Sequence, residues 1–353
     1  MGIVTSLLVL SFLIFFHELG HFLAARYFGV KVEVFSIGFG KKIFSKIIGD
    51  TEYRLSAIPL GGYVQMKGQD DSDPTKFSND PDSYNRKKPW QRIIILIAGP
   101  FANFFLAFLL YIVIANIGVT RLAPVIGEVS QNSPAQQIGL KKGDKILEIN
   151  GQKINSWDDL SKLIKQSNGK LILTIQRDKT IQAYLVKPDT KEVKNIFGEI
   201  KKRRIIGISP SGETVIINYN PIEAIHFAYS ETIRATTLIL KSLQKLVEGV
   251  IPAKDLGGVV SIVQVTAKAS EVGIVALLGL TALISVNLGV LNLLPIPALD
   301  GGHIMFNLYE IVRKKPPSQE VLYKLTVMGW VFLLSLMAFT IFNDIYRIAG
   351  GHG

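Results

Sequence analysis

No cysteine occurs in the 353 residues. That excludes a disulfide framework and thiolate-bound metal, so any metal ion here must be held by histidine and carboxylate. Charge is also scarce. Charged residues make up 19% of the chain against 48% hydrophobic, and the mean hydropathy is +0.32. A soluble protein carries more charge than this, and the balance points to several membrane spans. The charge that remains is basic, with a formal net charge of +11. No RNA- or DNA-binding pattern accompanies it, so a nucleic-acid partner is not expected. The excess is read as basic loops beside an anionic bilayer and as the positive-inside bias. The chain start lacks a basic segment and an A-x-A cleavage site. Its apolar run is therefore read as a retained span and not a removed signal peptide.

Four stretches read as membrane spans: residues 4–27, 90–119, 273–294 and 327–342. No Lys or Arg precedes the first, whereas Arg26, Lys31, Lys41 and Lys42 follow it. Arg86, Lys87 and Lys88 precede the second, and Arg313, Lys314 and Lys315 follow the third. This asymmetry predicts extracytoplasmic termini, with the first and third inter-span connections in the cytoplasm. Gly99-Pro100 predicts a kink in the second span. Asn103 puts a polar group at membrane depth, either as glue between helices or as a functional group.

Between the spans, residues 31–67 alternate in strand fashion and are punctuated by glycines at 38, 40, 49, 61 and 62. They predict short hairpins dipping toward the membrane. Residues 68–88 are a polar loop. Residues 121–187 are soluble in character. A strand over 124–129 is followed by a short helix opened by Ser133-Pro134 and a glycine turn over 139–144. A strand then ends in an Asn150-Gly151 turn, ahead of an amphipathic helix over 157–165 and an alternating strand over 170–177. This order resembles a PDZ domain of the circularly permuted bacterial type, which implies capture of peptide C-termini or extended segments by strand addition. Residues 188–220 are a basic, strand-like connector whose Lys201–Arg204 run reads as a solvated face. Residues 221–250 predict an amphipathic helix, and its lone His226 is not taken as a ligand. The expected division is a first half of the membrane core (1–120), the PDZ-like domain (121–190), a connector with amphipathic helices (191–270) and a second half of the core (271–353).

The first span carries the chemistry. His17, Glu18 and His21 interrupt an apolar run, and such groups persist at membrane depth when they line a polar cavity, pair or bind something. Residues four apart on a helix advance about 400° and about 6 Å, so both imidazoles reach one ion. H-E-x-x-H is a zinc-peptidase pattern in which the glutamate is the general acid/base. A zinc site needs a third protein ligand and one open position. Asp300 is the candidate, because its span returns to the cytoplasmic side where the histidines end, and Pro295 and Pro297 break the helix just before it.

His17-Glu18-Leu19-Gly20-His21 and Asn292-Leu-Leu-Pro-Ile-Pro-Ala-Leu-Asp300-Gly-Gly resemble the two signatures of the site-2 protease family of intramembrane zinc metalloproteases. Ala98-Gly99-Pro100-Phe101-Ala102-Asn103, the PDZ-like segment and Ile58-Pro59-Leu60-Gly61-Gly62-Tyr63-Val64 are similar to the bacterial branch typified by the regulator of sigma-E protease. Only one PDZ-like segment is found, where some members have two. The resemblance implies a polytopic α-helical fold with about four transmembrane helices, a membrane-associated β-hairpin region and an inserted α+β domain. It implies zinc on His17, His21 and Asp300, with Glu18 catalytic. It further implies substrate contacts at Asn287, Asn292, Gly61, Gly62 and Tyr63, a location in the bacterial inner membrane and single-span substrates such as anti-sigma factors or remnant signal peptides. Two other readings remain open: a membrane-anchored PDZ adaptor without proteolytic activity, and a metal carrier using the same ligands.

Overall fold

The computed structural model describes residues 2–69 and 78–350; the part of the expected polar loop over 70–77 lies outside them. The chain divides into two compact units, residues 1–114 with 225–353, and residues 115–224.

The first unit opens with α1 (Gly2–Tyr27), whose apolar residues are spread around the helix and are interrupted by His17, Glu18 and His21. A return segment follows, β1 (Val32–Ile48) and β2 (Thr51–Met66). Each of these strands is two shorter ones. β1 bends at Gly38 and Gly40, whose φ angles of 91° and 83° favour glycine. Phe35 pairs with both Val64 and Tyr53, and Tyr53 pairs in turn with Lys46. The result is a mixed sheet ordered 62–66, 32–37, 51–56, 42–48, with 62–66 at one edge among the described residues; 34–37 runs parallel to 52–55, and the two outer pairings are antiparallel. Of the short hairpins read from the glycine punctuation, one forms about Gly49, between 42–48 and 51–56. The sheet lies against α1, where Phe35 meets Phe15 and Phe22 edge-on, and Val30, Val32 and Met66 pack with Ala25. α2 (Pro89–Ile117), with Pro100 inside it, adds Ile95 to that core.

The second unit is a small α+β structure. Its elements in chain order are β3 (Val119–Leu122), β4 (Ile126–Val129), α3 (Pro134–Gln137), β5 (Lys145–Ile149), β6 (Gln152–Lys153) and α4 (Trp157–Gln166). β7 (Leu171–Arg177), β8 (Thr180–Val186), β9 (Asp189–Lys194), β10 (Ile200–Ile205), β11 (Ile208–Pro210) and β12 (Thr214–Ile217) complete it. The β5–β6 turn is the expected Asn150-Gly151, with φ 51° and 77°. α4 starts on a capping box between Ser156 and Asp159, and its Leu160 and Ile164 close a core with Ile126, Ile146, Leu173 and Ile175. The connector read over 188–220 supplies β9 to β12, of which β11 pairs with β4 and β12 with β3.

The chain then returns to the first unit through α5 (Pro221–Val247), α6 (Val259–Val272), α7 (Ile274–Asn292), α8 (Asp300–Arg313) and α9 (Gln319–Ile348). α1, α2, α7 and α9 are long and apolar enough to cross a membrane. The last begins earlier than its apolar run, because Ser318 caps it by accepting from the Val321 N–H. α6 falls almost wholly within the stretch over 191–270 expected to hold a connector with amphipathic helices. At 14 residues it is about 21 Å long, too short to span. Its N-terminus is capped by Asp344 of α9, which accepts from the Gly258 and Ser261 N–H groups at 3.1 and 3.0 Å. Ser6 of α1 donates to its Val263 carbonyl at 3.1 Å.

One ion pair anchors the second unit. Arg177 donates through Nε and Nη2 to the two oxygens of Asp144, both at 2.7 Å, and the Lys141 N–H adds a third bond. Burial alone would raise the Asp144 carboxyl. The guanidinium and that N–H outweigh burial and hold its pKa below the ordinary value. The stabilisation is therefore complete above the unfolded aspartate pKa of about 4 and is lost as pH falls through the lower folded value. Arg177→Ala leaves a buried carboxylate without its partner and is expected to cost on the order of 3 kcal/mol. Limited proteolysis of the full chain in detergent should show new cleavage within residues 115–224 in that variant at neutral pH, and in the parent only in acid.

Candidate metal centre

His17 and His21 stand one turn apart on α1, with their Nε2 atoms 3.2 Å from each other. Asp300, the first residue of α8, places Oδ2 3.4 Å from His17 Nε2 and Oδ1 3.5 Å from His21 Nε2. Among the described residues these three form the group able to hold a metal ion. Tetrahedral zinc ligands at about 2.1 Å from the ion stand about 3.4 Å from one another, and these separations agree. The protonation pattern fits as well. His21 is buried and donates from Nδ1 to the Ile95 carbonyl at 2.8 Å. In the neutral ring, Nε2 then carries a lone pair aimed at another imidazole and a carboxylate. Lone pairs meeting at one point repel unless a cation sits among them.

The neighbouring helix α2 shapes the centre through Ile95, Gly99 and Asn103, which are spaced four apart and share one stripe. Ile95 supplies the carbonyl. A Cβ on Gly99 would fall 2.2 Å from His21 Nε2, so no side chain fits there, and one on Gly20 of α1 would fall 2.1 Å from the Ala98 oxygen. The Asn103 amide lies 3.1 Å from His17 Nδ1. Pro100 removes one rung of the helix ladder at this level.

Asp300 arrives by way of Pro295 and Pro297, which end α7 and force the chain over before α8 starts. Arg92 of α2 bonds Glu310 of α8 at 2.7 Å, and Ser285 of α7 donates to the Asn103 carbonyl at 2.8 Å. Both ends of the turn that carries Asp300 are thus tied to α2.

The centre opens into a cavity of about 160 Å³, lined by Glu18, Gly62, Tyr63 and Asn292 together with the three convergent residues. Glu18 follows His17 on α1 and faces this space. The edge segment 62–66 forms the opposite wall. Its Gly62 admits the backbone closely, since a Cβ there would stand 2.7 Å from the Ser36 oxygen and 3.3 Å from Glu18 Cγ. The Asn292 side-chain nitrogen is 3.3 Å from His17 Nε2. Two residues implied by the resemblance lie outside the lining. Asn287 is half-buried on α7, five residues before Asn292, and Gly61 is buried against the Phe39 ring. Sequence reasoning missed Ile95 and took Gly99 as part of a kink and of the motif over 98–103, without tying it to the histidines. The four-residue spacing with Asn103 was the available signal.

Residues 5–336 match peptidase family M50. Three bacterial relatives bear the name "Putative zinc metalloprotease". One from Campylobacter jejuni is 49% identical over 345 residues, covering 98% of this chain and 93% of its own. One from Helicobacter pylori strain J99 is 42% identical over 356 residues, covering 98% and 99%. One from Clostridium acetobutylicum is 36% identical over 345 residues, covering 98% and 97%. With that match across nearly its whole length, the chain belongs to peptidase family M50, the site-2 proteases, and is a zinc metalloprotease with several apolar helices long enough to cross a membrane.

Proposed function

We propose that the protein cleaves peptide bonds in or beside the transmembrane segment of single-span proteins of the bacterial inner membrane. One observation carries this reading: the convergent histidines sit on α1, which is itself a candidate span and is packed against another, α2. In this reading His17, His21 and Asp300 hold the zinc ion. Zinc, when bound, polarises the scissile carbonyl and makes water nucleophilic near neutral pH. Glu18 takes a proton from the attacking water and passes it to the leaving amine.

A peptide bond inside an intact helix is shielded, so the substrate must unwind locally. The edge segment 62–66 offers unpaired main-chain groups to an extended strand, with Tyr63 beside it. Asn292 holds the substrate backbone next to the zinc. Asn287 and Gly61 act further along the bound segment. An apolar cavity of about 620 Å³, lined by Leu8, Phe12, Leu110, Leu278 and Ile37 among others, gives the apolar segment a lateral approach. Ile37 is the pairing partner of Gly62, so this cavity abuts the wall of the centre.

The unit at 115–224 acts outside the cytoplasm as a PDZ-like filter, with the termini on the same side and the zinc centre toward the cytoplasm. In it, a cleft of about 370 Å³ runs between Trp157, Leu160 and Ile164 of α4 and residues 203–209. That shape suits an extended peptide or a new C-terminus. Anti-sigma factors and remnant signal peptides are the substrates by family resemblance. The adaptor and metal-carrier alternatives are not favoured, since the family that the chain matches is one of peptidases and its relatives are named as zinc metalloproteases.

Glu18→Gln is expected to slow cleavage of a single-span substrate roughly 10²- to 10⁴-fold while bound zinc stays stoichiometric. Equal rates would remove Glu18 from the mechanism. Asp300→Ala should lose zinc by elemental analysis, and an unchanged metal content would remove Asp300 from the ligand set. Gly62→Val should leave zinc in place but displace the edge segment by about 1 Å and lower kcat/KM on the order of 10²-fold; full activity would rule out strand addition at that edge.

A further inference from the structure

We propose that Asn103 is a positioning residue that fixes the tautomer of His17, turning its side-chain oxygen, and not its nitrogen, toward the ring. The proposal rests on His17 being a zinc ligand. Asn103 is fully buried. With its nitrogen donating to His17 Nδ1 at 3.1 Å, its own Oδ1 is buried without a hydrogen-bond partner among the described residues. That orientation also makes Nδ1 the acceptor. In a neutral ring the proton then sits on Nε2, the atom that faces His21 and Asp300. A ligand atom cannot carry a proton and bind an ion.

The oxygen and nitrogen of an amide have nearly the same shape, and the hydrogen-bond network decides between its two orientations. Turning the amide half a turn puts Oδ1 on His17 Nδ1–H. Oδ1 gains a donor while Nδ2 takes its former place, so the number of bonds is unchanged and the tautomer that a zinc ligand requires decides between the two orientations: Nε2 is released with its lone pair toward the other two ligands. The same device already serves the second histidine, whose Nδ1–H is taken by the Ile95 carbonyl at 2.8 Å. Ile95 and Asn103 lie eight residues apart on one stripe of α2, so a single helix face orients both rings. Ser285 holds the Asn103 main chain from α7, and the side chain is thereby kept at a fixed height beside His17.

The test compares zinc affinity, by competition with a chelating dye, in purified full-length Asn103→Leu, Asn103→Asp and His17→Ala. Aspartate can still accept from Nδ1–H, and leucine of similar size cannot. Asn103→Leu should weaken zinc binding roughly 10- to 100-fold, with Asn103→Asp staying within about threefold of the parent. Equal loss in the two variants would mean that Asn103 serves as a donor or as packing, and would overturn the proposal. Ring-nitrogen NMR of the zinc-loaded parent is independent of how the variants fold: His17 should carry its proton on Nδ1, and a proton on Nε2 would contradict it. Unchanged zinc binding in His17→Ala would instead remove the ligand set beneath the proposal.

Discussion

Two imidazole nitrogens and a carboxylate meet within 3.5 Å of one another between apolar helices, and the rest of the first unit depends on that meeting. In so apolar a setting each of these groups is costly unless it is paired or bound to a cation. The surroundings are arranged to keep them together. α2 comes near enough to lend a carbonyl to His21 because Gly20 and Gly99 have no side chain to hold it off. Two prolines turn the chain after α7 so that α8 begins with Asp300 pointing back at α1. Arg92–Glu310 and Ser285–Asn103 then lock both flanks of that turn to α2. Removing any of these supports moves one ligand relative to the others. A four-coordinate ion tolerates little of that.

The small sheet answers a second constraint. Lipid offers no hydrogen bonds, so a bilayer-buried chain keeps its main-chain groups paired. A substrate helix opened for hydrolysis loses that pairing over several residues. In the proposed reaction, an edge strand beside the reacting atoms would replace it and hold the opened segment extended, which is the form that presents a carbonyl to attack. Gly62 lets this edge pass within contact of Glu18. The same residue thus serves the close approach of the strand and the width of the cavity.

The centre was largely legible in the sequence because its signals are local. Four-residue spacing in an apolar run pairs His17 with His21, and charge asymmetry around the spans carries Asp300 back to the same side. The four candidate spans came from apolar length alone, and the Asn150-Gly151 turn and the α4 helix came from composition. Other features depend on contacts between distant segments and leave weaker traces. The division of β1 and β2 into four strands follows from which residues pair, and glycine spacing only hints at it. α6 depends on a cap supplied by Asp344, more than eighty residues away. β8 is mostly exposed along its length and lacks a strong apolar alternation. Ile95 acts through its main chain, which no side-chain pattern can report.

The central claim is that cleavage falls within a membrane-embedded segment, at the level where His17, His21 and Asp300 converge. Its most direct measurement is mass mapping of the products released from a single-span substrate in liposomes, with Glu18→Gln as the blank. The predicted result is paired products whose new ends lie inside or at the cytoplasmic edge of the apolar segment and which are missing from the blank. Products cut only in the soluble flanks, in amounts that Glu18→Gln removes, would contradict it: the enzyme would then be a zinc peptidase of the membrane surface.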